Sequence, residues 1–457
     1  MSRAETRAEE RQVAKSRTTI LAKRIFIGFA LASAAACSSG GPYQVELMPA
    51  PDVYDERTVD PFILTGLVDT PPNFPLLYAT DRRPLEEGEV QDGHRFYGNE
   101  RGHLLRVGEA TIQVGKGGYT WQEARQISLL KERDEDYPLQ VKGVEEYGVV
   151  SQSLTAWFDP AGFDRGPEER FVKEINARMA ATDSRDVVVY VHGYKVNFEN
   201  PILVASELWH FLGYKGAFVA YSWPSTPKTL AYVSDLEDAT NAARNFREFL
   251  MMIADKTEVE RIHVIGYSAG TRMVTRAIAD LALMGRLDYT KEQKRARTKL
   301  HNVILVGSDV DAQLFAGYLA DGWFSVMNRF TVYMSGGDAA LGMSRRVFGK
   351  NRVGQMFEDP ANLPENFVDF VEERPNFMVI DVTDAAGSMS GNGHSYFRSS
   401  PWVSSDILMN LYFNLSPAER GLVQREDSPV WTFPPTYIEN LTEALAKKGV
   451  SLSDLTE

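Results

Sequence analysis

Three side chains able to move a proton and attack a carbonyl stand far apart along this chain: Ser268, His394 and Asp338. The first carries the strongest pattern. Ile262-His263-Val264-Ile265 is an apolar, β-branched run that feeds Gly266-Tyr267-Ser268-Ala269-Gly270. Met273, Val274, Ala277, Ile278, Leu281 and Ala282 then fall on one helical face. In a strand, tight turn and helix, a Gly-x-Ser-x-Gly sequence lifts the serine hydroxyl above the sheet edge, over the positive end of the helix. Gly266 and Gly270 meet the demand for small neighbours on each side.

A serine hydroxyl is a poor nucleophile at neutral pH. It needs a base, a group to orient that base, and N–H donors for the oxyanion that forms. The elements around Ser268 limit where these can come from. Val187–Val191, Ala217–Tyr221, Ile262–Ile265, Val303–Val306, Thr331–Met334 and Phe377–Val382 are apolar runs without polar alternation. Helical patterns over 168–179, 201–212, 236–253, 269–284, 312–320 and 404–415 separate or follow them. Buried strands alternating with helices mean an α/β fold with a mostly parallel sheet covered on both faces. Two earlier strands, at 75–80 and 110–114, joined by a charged loop, predict an antiparallel opening. Residues 115–150 show no clear pattern, and a last helix is expected at 438–447.

In such a sheet the active site gathers at the carboxyl ends of the strands. Among the seven histidines, His263 lies inside a strand and His301 precedes one at the wrong end. His210 is late in a helix, and His94 and His103 fall in N-terminal loops. His394 follows the last strand in the loop Gly387-Ser388-Met389-Ser390-Gly391-Asn392-Gly393 and is the expected base. The acid should lie between serine and histidine in chain order. Asp338, after Ser335-Gly336-Gly337, is preferred, with Asp309 and Asp311 as alternatives; the latter two could instead cap the following helix. Ala269 N–H and Tyr194 N–H are the expected oxyanion donors. His192, directly after Val187–Val191, would orient the second of these. Trp223, at the end of another strand, would line a pocket or simply pack, and His192 and Tyr267 are expected at the same pocket.

Composition narrows the class of protein. The chain has 457 residues, 44% of them hydrophobic, a net charge of -13 and a pI near 5.2. With no basic run in the body of the chain, nucleic-acid binding is not expected. No metal-ligand spacing, Walker loop or dinucleotide fingerprint is present, so no cofactor or metal is expected. The only cysteine, Cys37, follows a basic stretch, an apolar run from Ile25 and the small residues Ala34-Ala35-Ala36. This predicts a lipoprotein-type signal over 1–36 with Cys37 as the acylated mature N-terminus. Residues 1–36 carry seven Lys/Arg and three Asp/Glu, leaving the rest of the chain near -17. Residues 37–74, rich in Pro, Ser and Gly, are expected to be a tether with little regular structure. The catalytic domain would span 75–415, with 416–457 as its C-terminal extension.

Several of these segments together resemble a known group. They are Phe96-Tyr97-Gly98-Asn99-Glu100-Arg101-Gly102, Val191-His192-Gly193-Tyr194, Phe198-Glu199, Tyr221-Ser222-Trp223-Pro224-Ser225, Gly266–Gly270 and Gly393-His394. They look like the bacterial α/β-hydrolase family of esterase/lipase-like proteins of unknown function, over roughly residues 75–415. Tyr267 stands where many members have histidine. The resemblance implies an α/β-hydrolase fold and a Ser-His-acid triad; it implies little about substrate. The reading that follows is a serine hydrolase acting on small or lipid-like carboxylic esters. It would be lipid-anchored in the cell envelope, with Ser38 after the cysteine resembling outer-membrane sorting, facing the periplasm. An amidase, peptidase or thioesterase would use the same triad. A non-catalytic envelope lipoprotein retaining the fold is the remaining alternative.

Overall fold

The computed structural model describes residues 43–57, 59–69, 75–86, 89, 95–158, 163–228, 232–284, 288–348, 351–355, 365–426 and 428–448. The signal segment, Cys37 and His94 lie outside them. Twelve strands among the described residues form one sheet. They are β1 (Gln44–Glu46), β2 (Leu76–Pro84), β3 (Tyr97–Val114), β4 (Pro138–Val149), β5 (Asp186–Val191) and β6 (Ala217–Ser222). The rest are β7 (Arg261–Tyr267), β8 (Leu300–Val306), β9 (Met327–Met334), β10 (Phe377–Asp381), β11 (Val423–Gln424) and β12 (Val430–Thr432). Their order is β1-β4-β3-β2-β6-β5-β7-β8-β9-β10-β12-β11.

From β2 through β12 in that order every neighbouring pair is parallel. Antiparallel pairs close both ends: β1, β4 and β3 on one side, β11 on the other. The central strands are apolar on both faces because both faces are covered. In β5, Val187, Val189 and Val191 join one core with Phe171, Phe246 and Met273 from the helices Gly166–Ala181, Tyr232–Lys256 and Gly270–Leu283. Val188 and Tyr190 join the other, with Ile202, Ile407 and Leu441 from Glu199–Phe211, Pro401–Phe413 and Tyr437–Lys447. Such double burial removes the polar alternation a half-exposed strand would show.

The first third departs from expectation. The described residues of the segment expected to be a tether, 43–57 and 59–69, are folded. Its 3-10 turn Asp52–Arg57 buries Val53 and Tyr54. Val53 N–H donates to Ser405 Oγ at 3.1 Å, and the Tyr54 hydroxyl donates to Phe211 O. Asp60 caps the short helix Pro61–Thr65, which seats Phe62 in the core. Pro61 opens that helix at its first position, where a proline is favoured, and does not mark loose chain. The expected loop between β2 and β3 is largely strand, since β2 runs on to Pro84 and β3 begins at Tyr97. Residues 115–150 hold the helix Trp121–Ser128, closed by a Thr120–Glu123 capping box, and all of β4.

Candidate active site

Strand β7 ends at Tyr267, and Ser268 takes φ = 52°, the left-handed region that ordinary residues avoid. The chain then turns at once into the Gly270–Leu283 helix. A Cβ on Gly270 would lie 2.1 Å from His192 O, so only glycine lets the elbow sit against the loop after β5. Ser268 N–H donates to Val306 O on β8 at 2.9 Å, and Ser268 O accepts from the Thr271 hydroxyl at 2.5 Å. Strain at the serine is thus held by partners before and after it.

The loop after β10 carries His394 back over this elbow. Its Nε2 lies 2.8 Å from Ser268 Oγ. Its Nδ1 lies 2.6 Å from Asp338 Oδ2. Asp338 follows β9 and stands before the helix Ala339–Phe348, where its other oxygen, Oδ1, accepts from Leu341 N–H at 3.0 Å. One carboxylate therefore caps a helix and meets the imidazole. Ser268, His394 and Asp338 are 6%, 7% and 1% exposed, so the chain of hydrogen bonds is nearly sealed from solvent.

The alternative acids are committed elsewhere. Asp309 accepts from the Ser344 hydroxyl at 2.6 Å and pairs with Arg272 and Arg352. Asp311 caps the helix Ala312–Ala320 through Gln313 and Leu314 N–H. Four of the other described histidines stand apart from Ser268. His263 is buried beside Asp186, His210 meets the Tyr214 hydroxyl, His301 meets Asn328, and His103 lies in β3.

On the opposite side of Ser268 lies the loop His192-Gly193-Tyr194. A Cβ on Gly193 would fall 2.9 Å from Ser268 Cβ. His192 Nδ1 is 2.6 Å from Gly193 O, and Nε2 is 3.1 Å from Trp223 O. Burial, reinforced by the Arg82 guanidinium, holds the His192 pKa well below the usual histidine value. A neutral imidazole has one N–H, and the shorter contact assigns it to Nδ1, donating to Gly193 O. In a trans peptide the C=O and N–H point opposite ways. The Tyr194 N–H is therefore turned away from His192.

The expectation that Trp223 and His192 line a pocket needs correcting. Trp223 is fully buried and His192 almost so. Their rings stack at 5.0 Å with planes 2° apart, and Trp223 Nε1 donates to His192 O at 2.7 Å. An indole N–H in a dry core must find an acceptor, and this one finds the loop itself. Tyr267 is half-buried against His394.

Comparison with known families then decides the class of the chain. The family described as alpha/beta hydrolase of unknown function (DUF900) matches residues 168–411. The chain belongs to this family. No curated protein matches it. The matched span runs from the helix before β5 to the helix after His394, and contains Ser268, His394, Asp338, His192 and Tyr194.

Two groups that hold these loops together escaped sequence reasoning. Arg82, in β2 and outside the matched span, is fully buried. Its Nε donates to Ser222 Oγ at 3.0 Å, and its other nitrogens donate to Gly98, Ser225 and Val196 carbonyls at 3.1–3.2 Å. It thus ties β3, the loop after β6 and the loop after β5. Burial pushes its pKa down to about 9 and that of its neighbour Asp81 up to about 7. An arginine in a stretch that reads as a charged loop gives no sequence signal. The second is Gly307, at the end of β8 with φ = 54°; a Cβ there would lie 3.0 Å from His394 Cε1. Its N–H donates to the Tyr396 hydroxyl at 2.7 Å, which in turn donates to Tyr333 O at 2.8 Å. The turn after an apolar strand was the available clue.

Among the described residues no group of three or more His, Cys, Asp or Glu side chains is arranged to hold a metal ion. No helix among them is long and apolar enough to cross a membrane.

Proposed function

We propose that this α/β hydrolase is a serine hydrolase acting on carboxylic esters. The observation that carries the reading is the continuous hydrogen-bonded chain Ser268 Oγ–His394 Nε2, His394 Nδ1–Asp338 Oδ2, at 2.8 and 2.6 Å. Its members are 126 and 56 residues apart in sequence. A pairing of that reach, nine-tenths buried, is costly to build for stability alone.

The geometry supports the following chemistry. Ser268 Oγ attacks the acyl carbonyl while its proton passes to His394 Nε2. Nδ1–H donates to Asp338, which holds the tautomer and balances the imidazolium. The oxyanion is received by Ala269 N–H, at the positive end of the elbow helix, and by Tyr194 N–H, turned by His192. Collapse breaks the bond to the leaving alcohol, whose oxygen takes the proton from Nε2. Water then repeats the sequence on the acyl-enzyme.

Hydrolysis of short- and long-chain aryl esters by the protein and by Ser268→Ala tests this. Turnover should fall about 10⁴-fold or more, with folding retained. Equal turnover in the two forms would refute the mechanism. Matched thioester and amide substrates rank the leaving groups and separate an esterase from a thioesterase or amidase. A folded wild-type protein that a fluorophosphonate fails to label at Ser268 would favour a non-catalytic role.

The proposal includes location. The basic and apolar stretches before Cys37 support a lipid anchor in the bacterial envelope, with the catalytic domain in the periplasm at the outer membrane. The mature protein should carry a diacylglyceryl group on Cys37 in its mass spectrum. An unmodified N-terminus elsewhere would remove the anchor from the proposal and leave the chemistry intact.

A further inference from the structure

Tyr267 immediately precedes the nucleophile, and the Gly-x-Ser-x-Gly pattern asks nothing of it. Its surroundings are more specific. The ring centroid lies 5.1 Å from that of His394, with the planes tilted by 36°. It also packs at 4.8 Å against Phe397, in the same segment as His394. The phenol oxygen is 3.3 Å from Ser395 Oγ, on the residue after the base. Its ring edge reaches the loop after β5, where a Cβ on Gly193 would lie 3.3 Å from Tyr267 Cδ1. One side chain thus touches the imidazole, the loop that carries it, and the loop expected to bind the oxyanion.

The imidazole becomes a cation when Ser268 Oγ gives up its proton. Asp338 meets that charge at Nδ1 and Ser268 lies at Nε2. The Tyr267 ring lies beside the imidazole, with centroids 5.1 Å apart and planes tilted by 36°. A cation within about 6 Å of an aromatic centroid is attracted to its face, more strongly where water is excluded. Other polar side chains of the surrounding loops are already committed. Tyr396 is bonded to Gly307 and Tyr333, Arg398 to Glu207, and Asp309 to Ser344, Arg272 and Arg352.

We propose that Tyr267 is a positioning residue for His394: its ring seats the imidazole and stabilises the imidazolium formed during catalysis. The proposal rests on the reading of Ser268 and His394 as nucleophile and base. It adds no bond-making step. The proton leaves Oγ, resides on Nε2 and passes to the leaving oxygen, while Tyr267 neither gives nor takes it.

The test is the pH dependence of kcat and KM for an aryl ester in the full chain, with Tyr267→Leu, Tyr267→Phe and Ser268→Ala compared. Leucine removes the π face. Loss of a stabiliser of the protonated form makes that form harder to populate, so the acid limb of the kcat profile moves to lower pH. The expected displacement is roughly half a unit to one and a half units. Phenylalanine keeps the face and loses only the link to Ser395, so its limb should stay at the wild-type position even though kcat falls a few-fold. An unmoved limb in Tyr267→Leu, with that variant folded by its melting curve and Ser268→Ala inert, would overturn this proposal alone. Equal displacement in both Tyr267 variants would also overturn it, since the effect would then belong to the hydroxyl. Turnover by Ser268→Ala at the wild-type rate would instead overturn the underlying reading. If Tyr267→Leu does not fold, Tyr267→Trp decides: it keeps a π face, and a limb displaced as far downward as half a unit would refute the claim.

Discussion

His192 and His394 stand in loops that leave the sheet on either side of Ser268, and both are almost fully buried. Their surroundings make them opposites. His192 faces two carbonyl oxygens and stacks on Trp223; it has no carboxylate partner among its hydrogen bonds, and burial keeps it neutral. His394 has a carboxylate on one nitrogen and a hydroxyl on the other. A neutral ring among acceptors can hold a peptide in place, while a ring between Asp and Ser can accept and return a proton. Residue type settled neither role. The partner on Nδ1 separates the two rings: a backbone carbonyl in one case, a carboxylate in the other.

The largest effect expected from breaking this contrast is at Asp338. In Asp338→Asn the side-chain oxygen can go on accepting from Leu341 N–H, so the helix cap survives. The amide nitrogen then faces His394 Nδ1 and forces the ring proton onto Nε2, where it blocks acceptance from Ser268. A loss of about 10⁴-fold in kcat is expected, with the melting temperature nearly unchanged. A loss below tenfold would mean that the carboxylate serves the helix and not the base. Asp309→Asn makes the converse comparison, since its partners are Ser344, Arg272 and Arg352. Its cost should appear in stability first.

The central sheet could be read from the sequence because its signal is local and strong. Val187–Val191 and Ile262–Ile265 are buried on both faces, so hydropathy alone marks them. The glycines around Ser268 and the position of His394 after β10 follow from the same topology, although β10 is not the last strand, since the short β11 and β12 come later; the structure brings Ser268, His394 and Asp338 into contact. The N-terminal third could not be read in this way. Much of β3 and β4 is partly exposed and held by ladder hydrogen bonds and irregular register, which leave no hydropathy trace. Residues 43–57 and 59–69 look loose by composition, yet a handful of anchors such as Val53, Tyr54 and Phe62 order them. Arg82 was hidden for a related reason. Its meaning lies in four acceptors drawn from three distant segments, and no spacing in the chain reports that convergence. Trp223 could not be decided between pocket wall and packing, because strand ends supply pocket walls and loop clamps alike, and only its burial and the direction of the indole N–H tell them apart.

A smaller loss is expected on the other side of the comparison, at His192. His192→Leu keeps the volume roughly constant and removes the N–H that holds Gly193 O. The Gly193–Tyr194 peptide is then free to turn, and the Tyr194 N–H no longer has a fixed direction. Loss of one oxyanion donor costs about 10²–10³ in kcat. KM should change little, because the interaction is made mainly in the transition state. His192→Asn carries a side-chain N–H near the Nδ1 position, so it should recover much of the loss although it cannot stack on Trp223 as the imidazole does. Neither variant should remove the acid limb of the rate profile, because a histidine kept neutral by burial does not supply it. If His192→Leu abolished that limb while His394→Ala kept it, the two rings would have to exchange roles. If both His192 variants lost activity equally, stacking and not the hydrogen bond to Gly193 would be what aligns the loop.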